Sequence, residues 1–291
     1  MKKKYFLLAV FLIIIFLSFG ILLLNIYQKQ NALKEDVIIE QIEETEETSL
    51  PIYRYEEKDL LLLNKYQEYN EDVVGLIRVP DTVLNHPMMQ TITDEDYYLY
   101  KDLDKKYNSH GVPFLSADSL VEGQGGLLIV YGHNIYKRTK DVFADLAGYE
   151  DLEFYKSHPI VETVTKSGVR RWLIFAYFIV DNADENPFRY TDVTTFQSKE
   201  AHDAFFEEVA VRNWLDVGIE PVMGDTYLLL SSCSKQLSGQ GTNRMVVIAK
   251  QLYAEEAYEE LVEQAKMAKN PLLPQRLREV GSKSGCQKKD R

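Results

Sequence analysis

The sequence predicts a mostly β domain with inserted helices, carried behind an N-terminal membrane span, and three observations predict it. Short apolar runs ("GVPFLS", "GGLLIVYGH", "VRRWLIFAYFIV", "DTYLLLSS" and "RMVVIAKQL") are rich in Val, Ile, Leu, Phe and Tyr and bounded by Gly, Pro, Asp and Asn. Such runs read as strands of a barrel or sandwich core. Two stretches between them carry apolar residues at helical spacing. The first 27 residues are three lysines and then an uncharged apolar run. With 45% hydrophobic residues over 291 positions, the chain has the content of a packed core rather than of a disordered protein.

From the N-terminus, residues 1–4 form a cytoplasmic tail and residues 5–27, "YFLLAVFLIIIFLSFGILLLNIY", a transmembrane signal anchor. About 20 apolar residues suffice to cross the bilayer core. A cleaved signal peptide has a shorter apolar region and a small-residue cleavage site, and neither is evident. Lysines ahead of the span stay inside, so the rest of the chain is expected outside a single-pass cell membrane. Residues 28–53, with the Glu-rich "EQIEETEETSLP", read as an acidic extracytoplasmic stalk.

Residues 54–253 form the folded domain. It begins with a helical segment bearing Leu60, Leu63, Tyr66 and Tyr69 at three-residue steps, then the strand "VVGLIRV". "DVFADLAGYEDLEFYKSHP" reads as a short amphipathic helix ended by Pro159. "TTFQSKEAHDAFFEEVAVRNWLDVG" puts Phe196, Phe205, Val209 and Trp214 near one helix face and His202 on the polar, solvated one, with Gly218 as a stop. Residues 254–269 read as one surface helix, acidic first and basic last, and residues 270–291 as a flexible basic tail holding Cys286.

The net charge of −12 excludes a nucleic-acid binder, which needs clustered Lys and Arg. Two cysteines far apart cannot build a disulfide framework, no Cys/His spacing resembles a zinc site, and no cofactor motif is present. Cys233 is then a free thiol, and a thiol becomes a nucleophile only with a cation or base beside it. His133 stands in a Gly-His-Asn turn at the end of the strand "LLIVY", Cys233 ends "YLLLSS", and Arg244 opens "RMVVIA". Taken singly, each has an ordinary structural explanation, since a cysteine after a strand is commonly a small core residue. Together they tie three uncommon positions to strand ends that can share one rim. His86 and His158 precede prolines and read as structural; His110 is a turn residue able to line a cleft.

The motifs "YGHN" (Tyr131 to Asn134), "LSSC" (Leu230 to Cys233) and "NRMVVIA" (from Asn243), with "IRVPDTVLNHPMMQ", "YYLYKDLDKKYNSHGVPFLS" and "FYKSHP" around them, resemble the sortases, class B in particular. The resemblance implies an eight-stranded β barrel with N-terminal helices and a helix-bearing insertion between strands 6 and 7, where the helix over about 195–215 falls. It implies a membrane-anchored cysteine transpeptidase of Gram-positive bacteria with catalytic Cys233, His133 and Arg244. Leu99, Ser231 and Asn134 fall at positions implied to lie near the bound peptide. The implied partners are secreted proteins with a C-terminal sorting motif and an amine acceptor, from peptidoglycan precursor or a pilin. The chain departs from the pattern after the nucleophile, where relatives often carry acidic residues and Ser234 and Lys235 stand here. Two other readings share the same residues: a membrane-anchored Cys-His peptidase that releases product to water, and a non-catalytic surface assembly module in which Cys233 is merely packed.

Overall fold

The first amphipathic segment folds into helix α1 (Glu57–Tyr69) and strand β1 (Val73–Arg78), in a computed structural model that describes residues 56–135, 141–233, 242–253 and 256–279. Charge as well as apolar packing fastens α1. Leu63 is buried, but Tyr69 is 62% exposed. Asp59, itself buried, accepts from both terminal nitrogens of Arg78 at 2.8 Å, and the Nε of Arg78 donates to Glu162 at 2.7 Å. The two carboxylates hold the guanidinium firmly in its charged form.

Strands β2 (Asn85–Met89), β3 (Phe114–Leu115) and β4 (Leu127–Tyr131) follow, then a small hairpin of β5 (Asn134–Ile135) and β6 (Asp141–Val142). The expected amphipathic helix divides into a 3-10 turn, Ala144–Glu150, and α2 (Leu152–Ser157), because Asp151 caps the amides of Glu153 and Phe154 and starts a new helix. Next come β7 (Ile160–Thr165), β8 (Gly168–Asp181), α3 (Lys199–Arg212), β9 (Leu215–Asp216), β10 (Tyr227–Cys233) and β11 (Asn243–Gln251). The last elements are α4 (Glu259–Gln264) and β12 (Lys266–Met267).

Eight strands close a barrel in the order β1-β2-β3-β4-β10-β11-β8-β7. In chain order the sixth barrel strand is β8 and the seventh β10, so α3 sits in the expected insertion. The insertion explains why the strands read as continuous apolar runs rather than alternating ones. Side chains on one face fill the barrel, and those on the other are covered. Phe206 of α3 packs at 4.6 Å on Tyr227 of β10, and Phe188 and Tyr190 pack on Phe178 of β8.

His202 departs from the expected solvated position. It is 1% exposed, with its ring 4.8 Å from Phe206 and its Nε2 3.3 Å from the Tyr227 hydroxyl. Helix α3 buries His202 and Phe206 along with Phe205 and Val209, so its covered face is wider than the stripe read from the sequence. The helix expected over 254–269 is also shorter. The backbone leaves α4 at Ala265 to let Lys266 and Met267 pair with Asp216 and Leu215, and Ala268 donates to the Trp214 carbonyl at 2.9 Å. The flexible tail expected over 270–291 is docked over its described part. Leu272 donates to the Val211 carbonyl at 2.7 Å, residues 275–279 are helical, and Arg276 reaches Asp181 at 3.6 Å. Residues 1–53 and Cys286 lie outside the described residues; among the described ones no helix is long and apolar enough to cross a membrane.

Arg78→Ala removes the guanidinium shared by Asp59 and Glu162, and losing one partner of a buried pair costs about 3 kcal/mol. Thermal unfolding is expected to show a Tm lowered by roughly 6 to 12 °C; an unchanged Tm would mean that the cluster does not fasten α1.

Candidate active site

Strand β10 stands between two partners, and their registers bring the three polar residues together. It runs parallel to β4 from Tyr227↔Leu127 to Ser231↔Tyr131. The amide of Gly132 extends the ladder by donating to the Ser231 carbonyl at 3.2 Å. His133 follows in the turn after β4, and its neighbours Gly132 and Asn134 are both hydrogen-bonded to the end of β10. On its other side β10 pairs antiparallel with β11, and Cys233 stands directly opposite Arg244. Directly paired residues project from the same face of a sheet. Cys233 is a free, half-buried thiol, and His133 and Arg244 are half-buried as well.

Several bonds fix the His133 turn to the Cys233 strand. The Ser232 hydroxyl donates to the Gly132 carbonyl at 2.6 Å, and the Asn134 side-chain amide donates to the Cys233 carbonyl at 3.3 Å. The Phe143 amide donates to the His133 carbonyl at 2.9 Å. Gly132 is required here because a Cβ would lie 2.9 Å from the Phe143 ring. Val142, one residue before Phe143, holds a φ of 54°, a conformation a β-branched residue adopts only when its surroundings impose it. Asp141 contributes to that constraint by accepting from the Val142 amide at 2.8 Å.

A cavity of about 340 Å³ adjoins this rim, lined by Arg244, Ser231, Tyr131, Tyr190, Glu95 and Asp96 among others. Tyr190 and Ser231 share a buried hydrogen bond at 2.8 Å. Burial pushes the Tyr190 hydroxyl up to about 12, against the opposing pull of the Ser231 bond and the Arg244 charge. Tyr190 therefore remains a neutral hydroxyl at physiological pH.

Ser231 thus lines the cavity. Asn134 is buried and turned to the Cys233 backbone, and Leu99 packs in the smaller apolar cluster with Tyr98 and Phe114. Glu95 and Asp96, on the same 3-10 turn Glu95–Tyr100 as Leu99, line the cavity. Sequence reasoning missed Tyr190, which lies in the irregular stretch "NPFRYTD", where no periodicity marks a buried residue.

The sortase domain family matches residues 77–252 of the chain. The chain belongs to the sortase family. The sortase B of Staphylococcus aureus is 27% identical over 208 residues, covering 68% of this chain and 82% of that protein. The sortase B of Listeria monocytogenes is 25% identical over 188 residues, covering 65% and 73%. A solved S. aureus sortase B–substrate complex superposes with a TM-score of 0.58 at 25% identity, covering 66% of this chain and 85% of that one. The expectation of a class B sortase, a cysteine transpeptidase, holds.

Behind the His133 turn of this sortase, Asp141 meets two histidines. His110 Nδ1 bonds its Oδ2 at 3.1 Å, and His86 Nε2 approaches its Oδ1 at 3.3 Å. His86 is pulled below its ordinary value by burial, so the second contact is largely that of a neutral ring. Burial alone would raise the Asp141 carboxyl, but the bonds from His110 and the Val142 amide outweigh it and leave it lowered.

Two outcomes follow for the sortase. Ser232→Ala leaves the Gly132 carbonyl without its donor and is expected to lower kcat about 10-fold with little change in KM; unchanged steady-state kinetics would show that this bond does not align the rim. A depressed aspartate adds stability above its unfolded pKa, lost as pH falls through the folded one. Asp141→Asn is therefore expected to flatten the stability slope below about pH 3.9 in urea unfolding, and an unaltered slope would count against the contact.

Proposed function

We propose that this sortase cleaves a C-terminal sorting motif in secreted proteins through a thioacyl-enzyme on Cys233 and passes the acyl group to an amine. The observation that carries the reading is the common rim of Cys233, Arg244 and the His133 turn, joined by one strand. Cys233 as thiolate adds to the carbonyl carbon of the scissile bond. Arg244, opposite it, donates to the oxygen on which negative charge develops, or holds the motif beside it. His133 as imidazolium gives its proton to the departing amine, and the thioester remains. As neutral imidazole it then takes a proton from the incoming amine, which attacks the thioester and regenerates the thiolate.

The cavity bearing Ser231, Tyr190 and Arg244 supports a place for the sorting peptide ahead of the scissile bond. The acceptor is an amine of peptidoglycan precursor or of another surface protein. Residues 5–27 anchor the enzyme in the cell membrane with the catalytic domain outside, a reading supported by the lysines ahead of that run.

A peptide library incubated with the protein and a free amine, read by mass, tests the scheme through both the cleaved motif and the amide product. Cys233→Ala is expected to abolish cleavage and any covalent mass adduct. His133→Ala and Arg244→Ala are each expected to lower turnover by about 100-fold or more. Retained cleavage in Cys233→Ala would defeat the mechanism.

A further inference from the structure

Two tyrosines beside His133 have no part in the reaction outlined above. Tyr100 ends the 3-10 turn Glu95–Tyr100, and Tyr107 closes the tight turn that follows; they are 49% and 78% exposed. Their rings are stacked, with centroids 6.5 Å apart and planes 18° from parallel. Tyr100 also meets the His133 ring at 5.1 Å.

Rings this exposed contribute little to the core, yet the turn carrying Tyr107 is heavily tied. The Asp102 carboxylate accepts from the amides of Asp104 at 2.9 Å and Lys106 at 3.0 Å, and Lys101 bridges Tyr107. Lys105 pairs with Asp72 at 2.9 Å, and Asn70 donates to the Leu103 carbonyl at 2.9 Å. The fold thus holds an exposed, stacked tyrosine pair with its inner member against the proposed general base.

The position of this shelf indicates what it meets. Glu95 and Asp96, at the start of the 3-10 turn, line the cavity shared with Ser231 and Arg244, whereas Tyr100, at its end, touches His133. In the function proposed above, the acyl part of the sorting peptide lies toward the cavity. His133 serves the departing amine and the arriving amine alike, so both pass on its own side. Centroid steps of 5.1 and 6.5 Å carry the shelf out to roughly three extended residues from His133. A peptide whose terminal nitrogen reached His133 would lay the chain behind that nitrogen there.

We propose that Tyr100 and Tyr107 bind the amine-bearing peptide of the second substrate, its flat backbone amides resting on the two rings while its terminal nitrogen reaches the thioester. This rests on the transpeptidase reading above and adds the acceptor's site to it. Tyrosine suits the task, since it offers a large rigid face at little entropic cost. Small residues behind the amine fit best, because they let the amide planes touch the rings.

The test uses the full-length protein, a sorting peptide selected from the library, and glycine amide and triglycine amide as acceptor probes. In the wild type, the acceptor KM is expected to fall about 10-fold from glycine amide to triglycine amide. Tyr107→Ala is expected to remove that gain and raise the triglycine amide KM about 5- to 10-fold, the KM for the sorting peptide being unaffected, while Tyr107→Phe retains it. An unchanged acceptor KM in Tyr107→Ala overturns the shelf, as does an equal loss of amide and hydrolysed product, which would make the pair only a prop for His133. Tighter use of an amino sugar than of triglycine amide, lost in the same variant, overturns the peptide as occupant. No amide product from the wild type with any amine overturns the transpeptidase reading itself, and the shelf with it.

Discussion

The site depends on the register of one strand between two others. Strand β10 reaches the rim parallel to β4 and antiparallel to β11, and both ladders end within a residue or two of Cys233. A slip of one residue in either would send Cys233 and its partner to opposite faces. The apolar runs "LLIV", "YLLL" and "MVVI" make such a slip costly, since they fill the barrel on one face and meet the insertion on the other. The hydrophobic core thereby sets the geometry of three polar groups at its rim.

The two serines before the nucleophile show how that register is finished. Successive residues of a strand face opposite ways. Ser231 turns to the cavity and bonds Tyr190, while Ser232 turns to the other face and bonds the Gly132 carbonyl. One brace ties the cysteine strand to the insertion, the other to the histidine turn. Small hydroxyls suit both positions, because a larger side chain would separate strands that must meet at hydrogen-bond distance. The Gly-His pair obeys the same logic from the opposite side, with Gly132 giving Phe143 room to approach.

Much of this was legible in the sequence and some was not, for physical reasons. The barrel strands were legible because β-rich runs bounded by turn residues need only local patterning. The rim residues were legible because each sits at the end of such a run. His202 was misread because a single helix buried on two neighbouring sides looks amphipathic from one of them. The break of the C-terminal helix at Ala265 was invisible because its cause, pairing with Leu215 and Asp216, lies some fifty residues away. Tyr190, the Asp141 contacts and the Tyr100–Tyr107 stack were illegible for the same reason: each depends on where irregular chain returns to the barrel. Glu95 and Asp96, on the same segment as Leu99, line the cavity.

A cysteine transpeptidase has to favour a dilute amine over water at its thioester, and the half-buried Cys233 is not sealed from solvent by its own strand. The chemical step gives only part of the preference, since His133 can activate either nucleophile. The remainder has to come from holding the amine in line, and well-aligned intramolecular reactions reach effective concentrations of roughly 10⁵ M and above. That calls for a rigid surface on the histidine side, separate from the cavity proposed above for the acyl half. The division is built into one short element. The 3-10 segment Glu95–Tyr100 lines the cavity with its first residues and touches His133 with its last, so the two proposed sites are spaced by one six-residue element.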